Sequence, residues 1–153
     1  MVSLCNRSLE IIKQGQAASG AYVACPNFPS YQFTWLRDGS FIAHAMDTAG
    51  ELASAAAFYR WVGRTITAHA AKLEAIRATL QMGKRLGKDD VLHTRFTLDG
   101  EETSADSEWG NFQIDGYGTW LWALGEHIRR GGSPALAQEL AEAIAVSLEY
   151  LEL

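Results

Sequence analysis

The chain has 153 residues, of which 48% are hydrophobic and 20% charged, and these values are ordinary for one globular domain with its own core. Its net charge of −5 argues against a nucleic-acid partner, because nucleic acid usually meets a basic patch on the protein. No apolar run approaches the roughly 18 residues that a membrane span needs, so no membrane partner is predicted.

Cysteine and histidine usage gives no indication of a disulfide framework or a metal centre. The two cysteines, Cys5 and Cys25, are too few for a disulfide-rich scaffold or a zinc site. The first ten residues, MVSLCNRSLE, lack the charged and apolar regions of a signal peptide, so we expect plain thiols and a cytoplasmic location. The four histidines share no spacing typical of metal ligands, and no metal or other cofactor is predicted.

Helical periodicity runs through most of the chain. Four helices are predicted first, over residues 3–19, 39–49, 51–86 and 116–130. For the third, the pattern fits either one long helix or two helices with a bend. A last helix is predicted after Ser133 and Pro134, which are typical of an N-cap and a first helical turn.

Two long connections, 20–38 and 87–115, separate these helices and contain the motifs described below. Long connections without clear structure are usually functional or disordered, and the aromatic residues in these two favour function. Within the second connection, the segment VLHTRFTL at 91–98 alternates as a strand does. It predicts a small hairpin that turns at Asp99 and Gly100.

The segment FTWLRDGSF, residues 33–41, is typical of a carbohydrate site. An aromatic, apolar run leads to Arg37 and Asp38 at the start of a predicted helix. Aromatic rings cover the apolar faces of a sugar, while a guanidinium and a carboxylate bind its hydroxyls. A second segment of the same kind, EWGNFQIDGYGTW, occupies residues 108–120.

The predicted helix order brings these segments together. If successive helices run up and down, the helices at 39–49 and 116–130 begin at the same end of the bundle. The Arg37–Asp38 pair and Asp115 would then meet near two helix N-termini, where backbone N–H groups point outward. We therefore expect one binding site at that end.

The two motifs, in this order and with helices between them, resemble glycoside hydrolase family 15, which comprises glucoamylases, glucodextranases and some trehalases. The resemblance covers nearly the whole chain. It implies an all-α fold, a partial (α/α)6 barrel with about five of the twelve helices. Residues 1–153 would form the N-terminal portion of the catalytic domain.

The resemblance also implies roles for individual residues. The guanidinium and the carboxylate of the first motif would bind hydroxyls of the non-reducing-end glucose, and the aromatic residues would line its pocket. The aspartate of the second motif would help to shape that pocket. The implied substrate-binding residues are Tyr31, Trp35, Arg37, Asp38, Trp109 and Asp115. No catalytic residue is expected in this chain, because the acid follows the fifth helix in a Trp-Glu-Glu type of segment and the base lies further along.

The implied function is that of an inverting, exo-acting α-glucoside hydrolase acting on an α-linked glucose oligosaccharide or disaccharide. The chain would supply part of the glucose pocket and would be inactive alone. Its candidate protein partner is the missing C-terminal half of the barrel. The alternative is a non-catalytic glucoamylase-like barrel used for carbohydrate binding or regulation. The catalytic carboxylate pair, which would distinguish the two, is expected beyond Leu153.

Simpler interpretations exist for several of these residues. Asp38 and Asp115 each precede a glycine near a helix start and could be helix N-caps. Arg37 could form a surface ion pair of little energetic consequence. Among the tryptophans, the mid-helix residues are predicted to lie in the core, namely Trp61, Trp120 and Trp122.

Overall fold

The computed structural model describes residues 4–102 and 110–153. The helices are α1 (Leu4–Gln14), α2 (Leu36–Thr48), α3 (Leu52–His69), α4 (Lys72–Gln81), α5 (Asp115–Arg129), α6 (Ala135–Glu139) and α7 (Ala141–Glu152). Two short antiparallel strands, β1 (Thr34–Trp35) and β2 (Arg95–Phe96), are the only sheet in these ranges. No helix in the same ranges is long and apolar enough to cross a membrane. The predicted all-α class is confirmed.

Every predicted helix contains helical structure, but two are divided, one begins early, and the segments predicted over 3–19 and 51–86 end at Gln14 and Gln81. The 51–86 segment separates into α3 and α4 at residues 70–71, and the last helix separates into α6 and α7 at Leu140. Helix α2 begins at Leu36, three residues before the prediction, because the Leu36 N–H donates to the carbonyl of Thr94 at 3.0 Å. That contact is long-range, so helical periodicity alone does not reveal this boundary.

Helices α2 and α5 lie side by side and point in the same direction. In their first turns, Nη1 of Arg37 donates to Oδ2 of Asp115 at 2.8 Å. Near their C-terminal ends, Oδ1 of Asp47 lies 2.7 Å from Nδ1 of the buried His127. Two contacts at corresponding ends require a parallel pair, so the prediction that both helices begin at the same end is confirmed.

Helices α3 and α7 form a second layer on this pair and run antiparallel to it. Helix α3 follows α2 after a turn at Gly50, where φ is +83°. Helix α7 packs on α5 through Trp120, whose Nε1 donates to Ser147 Oγ at 3.0 Å, and through Tyr117, whose ring centroid lies 4.9 Å from that of Tyr150. The fold is therefore two helical hairpins side by side, as expected for part of an (α/α) barrel.

The core lies between the two layers and is rich in aromatic rings. Trp61 and Trp120 are buried there, as predicted. Trp122 is not, since it is 46% exposed and its ring centroid lies 5.8 Å from that of the exposed Phe41 on the free face of α2 and α5. The core assignment of Trp122 is wrong for the described chain, because its helices cover only one face of the α2–α5 pair.

The predicted hairpin at 91–98 is present in a shorter form. Phe96 bridges to Glu102 across a tight turn in which Gly100 has φ +90°. The longer pairing of β2 is with β1, where Trp35 lies opposite Arg95. The turn was predictable from its Asp-Gly sequence, whereas the pairing with β1 joins segments 60 residues apart.

Candidate functional site

The site centres on Arg37, which lies between two carboxylates. Its Nη1 donates to Asp115 Oδ2 at 2.8 Å, and its Nη2 lies 3.8 Å from Asp38 Oδ2. The hydrogen bond to Asp115 is the main cause of the raised pKa of the Arg37 guanidinium. The side chains of Arg37, Asp38 and Asp115 are 42%, 48% and 51% exposed. They are therefore ordered by one another and still accessible to a ligand.

Neither aspartate is an N-cap. The N-cap residues are Trp35 for α2 and Ile114 for α5, and neither side chain makes a capping hydrogen bond. Asp38 lies in the first turn of α2, and Asp115 is the first residue of α5. Their negative charges are favourable there, because the N-terminal end of a helix carries partial positive charge.

The glycine that follows each aspartate allows close packing at the site. A Cβ added to Gly39 would lie 2.4 Å from two ring carbons of Phe58. One added to Gly116 would lie 2.4 Å from Thr94 Oγ1 and 3.2 Å from Leu36 Cβ. The Asp-Gly pairs thus have a steric basis, since a side chain at either glycine would move a helix start that carries a site residue.

Aromatic residues lie on the segment that leads into α2. The ring centroids of Tyr31 and Trp35 are 5.8 Å apart, and Phe33 meets Trp35 edge-on at 6.3 Å. Tyr31 is 43% exposed, whereas Trp35 is only 5% exposed. Tyr31 therefore presents surface to a ligand, and most of the Trp35 ring contacts protein.

The structure brings Arg37, Asp38 and Asp115 into one cluster and packs Tyr31 against Trp35. Trp109 lies outside the described residues. One neighbour of these side chains was not singled out from the sequence: Arg95, whose Cζ lies 5.7 Å from the centre of the Trp35 ring. The alternation at 91–98 indicated a strand, but its partner strand was not predicted and neither was this contact.

Comparison with known proteins identifies the family. A profile described as Glycosyl hydrolases family 15 matches residues 4–153. The chain belongs to this family. It is 36% identical over 149 residues to an isomaltose glucohydrolase from Kribbella flavida, and the match covers 97% of this chain and 38% of that protein.

Solved glycosidase structures have the same fold over this region. A wild-type glycosidase and a glycosidase in complex with glucose each match with a TM-score of 0.86 and 36% identity. Each match covers 97% of this chain and 39% of the solved chain. This family 15 chain is thus similar to the part of longer glycosidases that it spans, and it accounts for well under half of their length.

Proposed function

We propose that this chain supplies part of the glucose-binding pocket of an inverting, exo-acting α-glucoside hydrolase and that it is inactive alone. The observation that carries the proposal is the Arg37–Asp115 contact, which joins the N-termini of two parallel helices in a member of a hydrolase family. Membership of family 15 supports hydrolysis as the reaction class. The similarity to an isomaltose glucohydrolase supports an α-linked glucose oligosaccharide or disaccharide as the substrate.

The chemistry of the cluster suits a sugar. Arg37 carries five N–H donors in a fixed plane, and Asp38 and Asp115 accept hydrogen bonds from hydroxyl groups. Charge-assisted bonds of this kind are about twice as strong as neutral ones, and they orient a polyol that offers many equivalent hydroxyls. The exposed ring of Tyr31 adds an apolar surface for a pyranose face. We propose that Trp35 supports this ring and that Trp109 also lines the pocket.

Inverting hydrolysis needs two further carboxyl groups. One protonates the leaving oxygen and the other activates a water on the opposite face, with roughly 6.5–9.5 Å between them. Asp38 and Asp115 both flank the same arginine, an arrangement suited to binding hydroxyls. We therefore assign the acid and the base to chain beyond these 153 residues, and the pocket residues to this part.

The free face of the α2–α5 pair supports the assignment of residues 1–153 to the N-terminal portion of a larger barrel. Phe41 and Trp122 are 55% and 46% exposed there, and their rings contact each other. An exposed aromatic patch on a helical layer usually marks an interaction surface. We propose that further helices of the same barrel cover this face, whether they belong to a longer chain or are supplied as a separate one.

The pocket assignment is tested by glucose binding to the purified chain, followed by saturation-transfer NMR, which detects weak ligands. We expect weak binding that is lost in Arg37→Met. The matched control is Arg129→Met, since Arg129 is also paired with a carboxylate, that of Glu126 at 2.6 Å, but at the other end of α5. Equal glucose binding by the two variants would refute the pocket assignment.

The reaction is tested by measuring glucose release from isomaltose, maltose, soluble starch and trehalose. The chain alone should release none, because neither an activating base nor a protonated leaving group would be available. Addition of the rest of a family 15 barrel should restore hydrolysis, with the β-anomer as first product if the mechanism inverts an α-glucoside. A completed barrel that binds glucose and hydrolyses none of the four substrates would favour the non-catalytic alternative.

A further inference from the structure

A buried arginine lies behind the aromatic residues of the site. Arg95 is only 6% exposed, and it lies opposite Trp35 in the β1–β2 pair. Its Cζ lies 5.1 Å from the centre of the Phe33 ring and 5.7 Å from that of Trp35. Burial lowers the pKa of the guanidinium, yet an arginine keeps its charge at physiological pH. A cation is therefore held against two aromatic rings with little access to water.

This arginine connects through Trp35 to the accessible part of the site. Tyr31 packs on Trp35 and is exposed, whereas Trp35 and Arg95 are both buried, so Trp35 contacts the exposed tyrosine as well as the buried arginine. The residue directly before Arg95 also contacts the start of α2, since the Thr94 carbonyl accepts the Leu36 N–H. The adjacent residues Thr94 and Arg95 thus contact the first residue of α2 and the Trp35 ring, respectively.

The choice of side chain is informative, because burying a charge is costly and an apolar residue would fill the same volume more easily. A guanidinium offers what an apolar side chain lacks, namely attraction to the negative face of a ring and a plane that stacks on it. Lysine would keep the charge but lose the plane. A buried arginine held against two rings is therefore suited to fixing the orientation of a ring.

We propose that Arg95 is a positioning residue for the carbohydrate pocket. Its guanidinium fixes the ring of Trp35, and Trp35 in turn sets the position of Tyr31 relative to Arg37, so that a ring face and a hydrogen-bonding group meet the same pyranose. The inference rests on the proposed function, and it adds a residue that does not itself contact the sugar.

The test uses Arg95→Met, which keeps an unbranched chain in place of the aliphatic part of arginine and removes the charge and the plane, together with Arg95→Lys. The control is Arg60→Met, since Arg60 is 45% exposed and pairs with Glu139 on the outside of the fold. Near-ultraviolet circular dichroism reports the order of Trp35, whose share of the signal is obtained by subtracting the spectrum of Trp35→Phe. Glucose affinity is measured by saturation-transfer titration.

Arg95→Met should keep its far-ultraviolet spectrum, lose the Trp35 contribution and bind glucose about tenfold more weakly, an effect within reach of a desolvated cation–π contact. Arg95→Lys should recover part of both signals, and Arg60→Met should match the unmodified chain. An unchanged Trp35 signal and an unchanged glucose affinity in Arg95→Met would overturn the proposal. The pocket assignment would not be affected by that result, because Arg37→Met tests it separately. If Arg95→Met fails to fold, Arg95→Lys decides: a Trp35 signal and a glucose affinity equal to those of the unmodified chain would overturn the proposal. If the unmodified chain binds no glucose, the proposed function fails, and the Trp35 signal alone decides whether Arg95 orders that ring.

Discussion

Replacing Gly39 with alanine is expected to destabilise the chain and to displace the first turn of α2. The added methyl group would lie 2.4 Å from two ring carbons of Phe58, far inside van der Waals contact. Phe58 is fully buried, and its ring stacks on Tyr22 at 5.3 Å and on Trp61 at 5.8 Å between centroids, so it has no free space to turn into. Overpacking of a core in this way costs about 1–3 kcal/mol.

Gly125→Ala is the matched control for this substitution. Gly125 is also helical, but a Cβ built there has no heavy atom within 4 Å. Helix propensity alone then favours alanine by about 0.8–1 kcal/mol, so Gly125→Ala should be stabilising. A similar propensity gain operates at Gly39, and the difference between the two variants therefore isolates the steric term, which we expect to be about 1–3 kcal/mol.

The assay is urea denaturation monitored by far-ultraviolet circular dichroism. The free energies of unfolding of the variants are compared after checking that they share the same dependence on urea concentration. Glucose binding gives a second measurement. Gly39→Ala should weaken binding because Asp38 precedes it in the same helical turn, whereas Gly125→Ala should not. Equal free energies of unfolding for the two variants would refute the conclusion that Gly39 is required by its contact with Phe58.

Two further predictions concern buried ionisable groups. Asp47→Ala should lower the free energy of unfolding in urea by about 1–3 kcal/mol, because it leaves the buried Nδ1 of His127 without its hydrogen-bond partner at 2.7 Å. Arg7→Ala, which breaks an exposed pair, should cost at most about 1 kcal/mol. Similar losses in both variants would contradict this assignment. The second concerns His93, whose pKa is lowered mainly by burial, against an attraction from Glu102, 4.0 Å from its Nε2. Below about pH 6.5, His93 is therefore protonated more fully in the unfolded chain than in the folded one. The free energy of unfolding should then fall with decreasing pH by up to about 1.4 kcal/mol per pH unit. His93→Phe should show a shallower decline between pH 7 and 5, and an unchanged slope would contradict the lowered pKa.

The sequence by itself determined the class of the fold and predicted three residues that meet in the candidate site. Helical periodicity is a local property, so the starts of α3 and α5 were predicted within one residue of their observed positions, whereas the breaks that end α3 and α6 were not located. The two motifs identified Arg37, Asp38 and Asp115, because charged residues beside aromatic ones at helix starts are visible without a structure. The alternation of helix directions was then sufficient to bring both motifs to one end.

Only the tertiary structure decided what depends on contacts between distant segments. The pairing of Trp35 with Arg95 joins two connections whose partners no local pattern specifies. The same is true of the buried contact between Asp47 and His127, which are separated by 80 residues. Trp122 is exposed because no described helix covers its side of α5. Its position in mid-helix does not indicate which layer the side chain faces. Local patterns record the preferences of a segment, whereas a site also requires the relative placement of segments, and that is settled by packing of the whole domain.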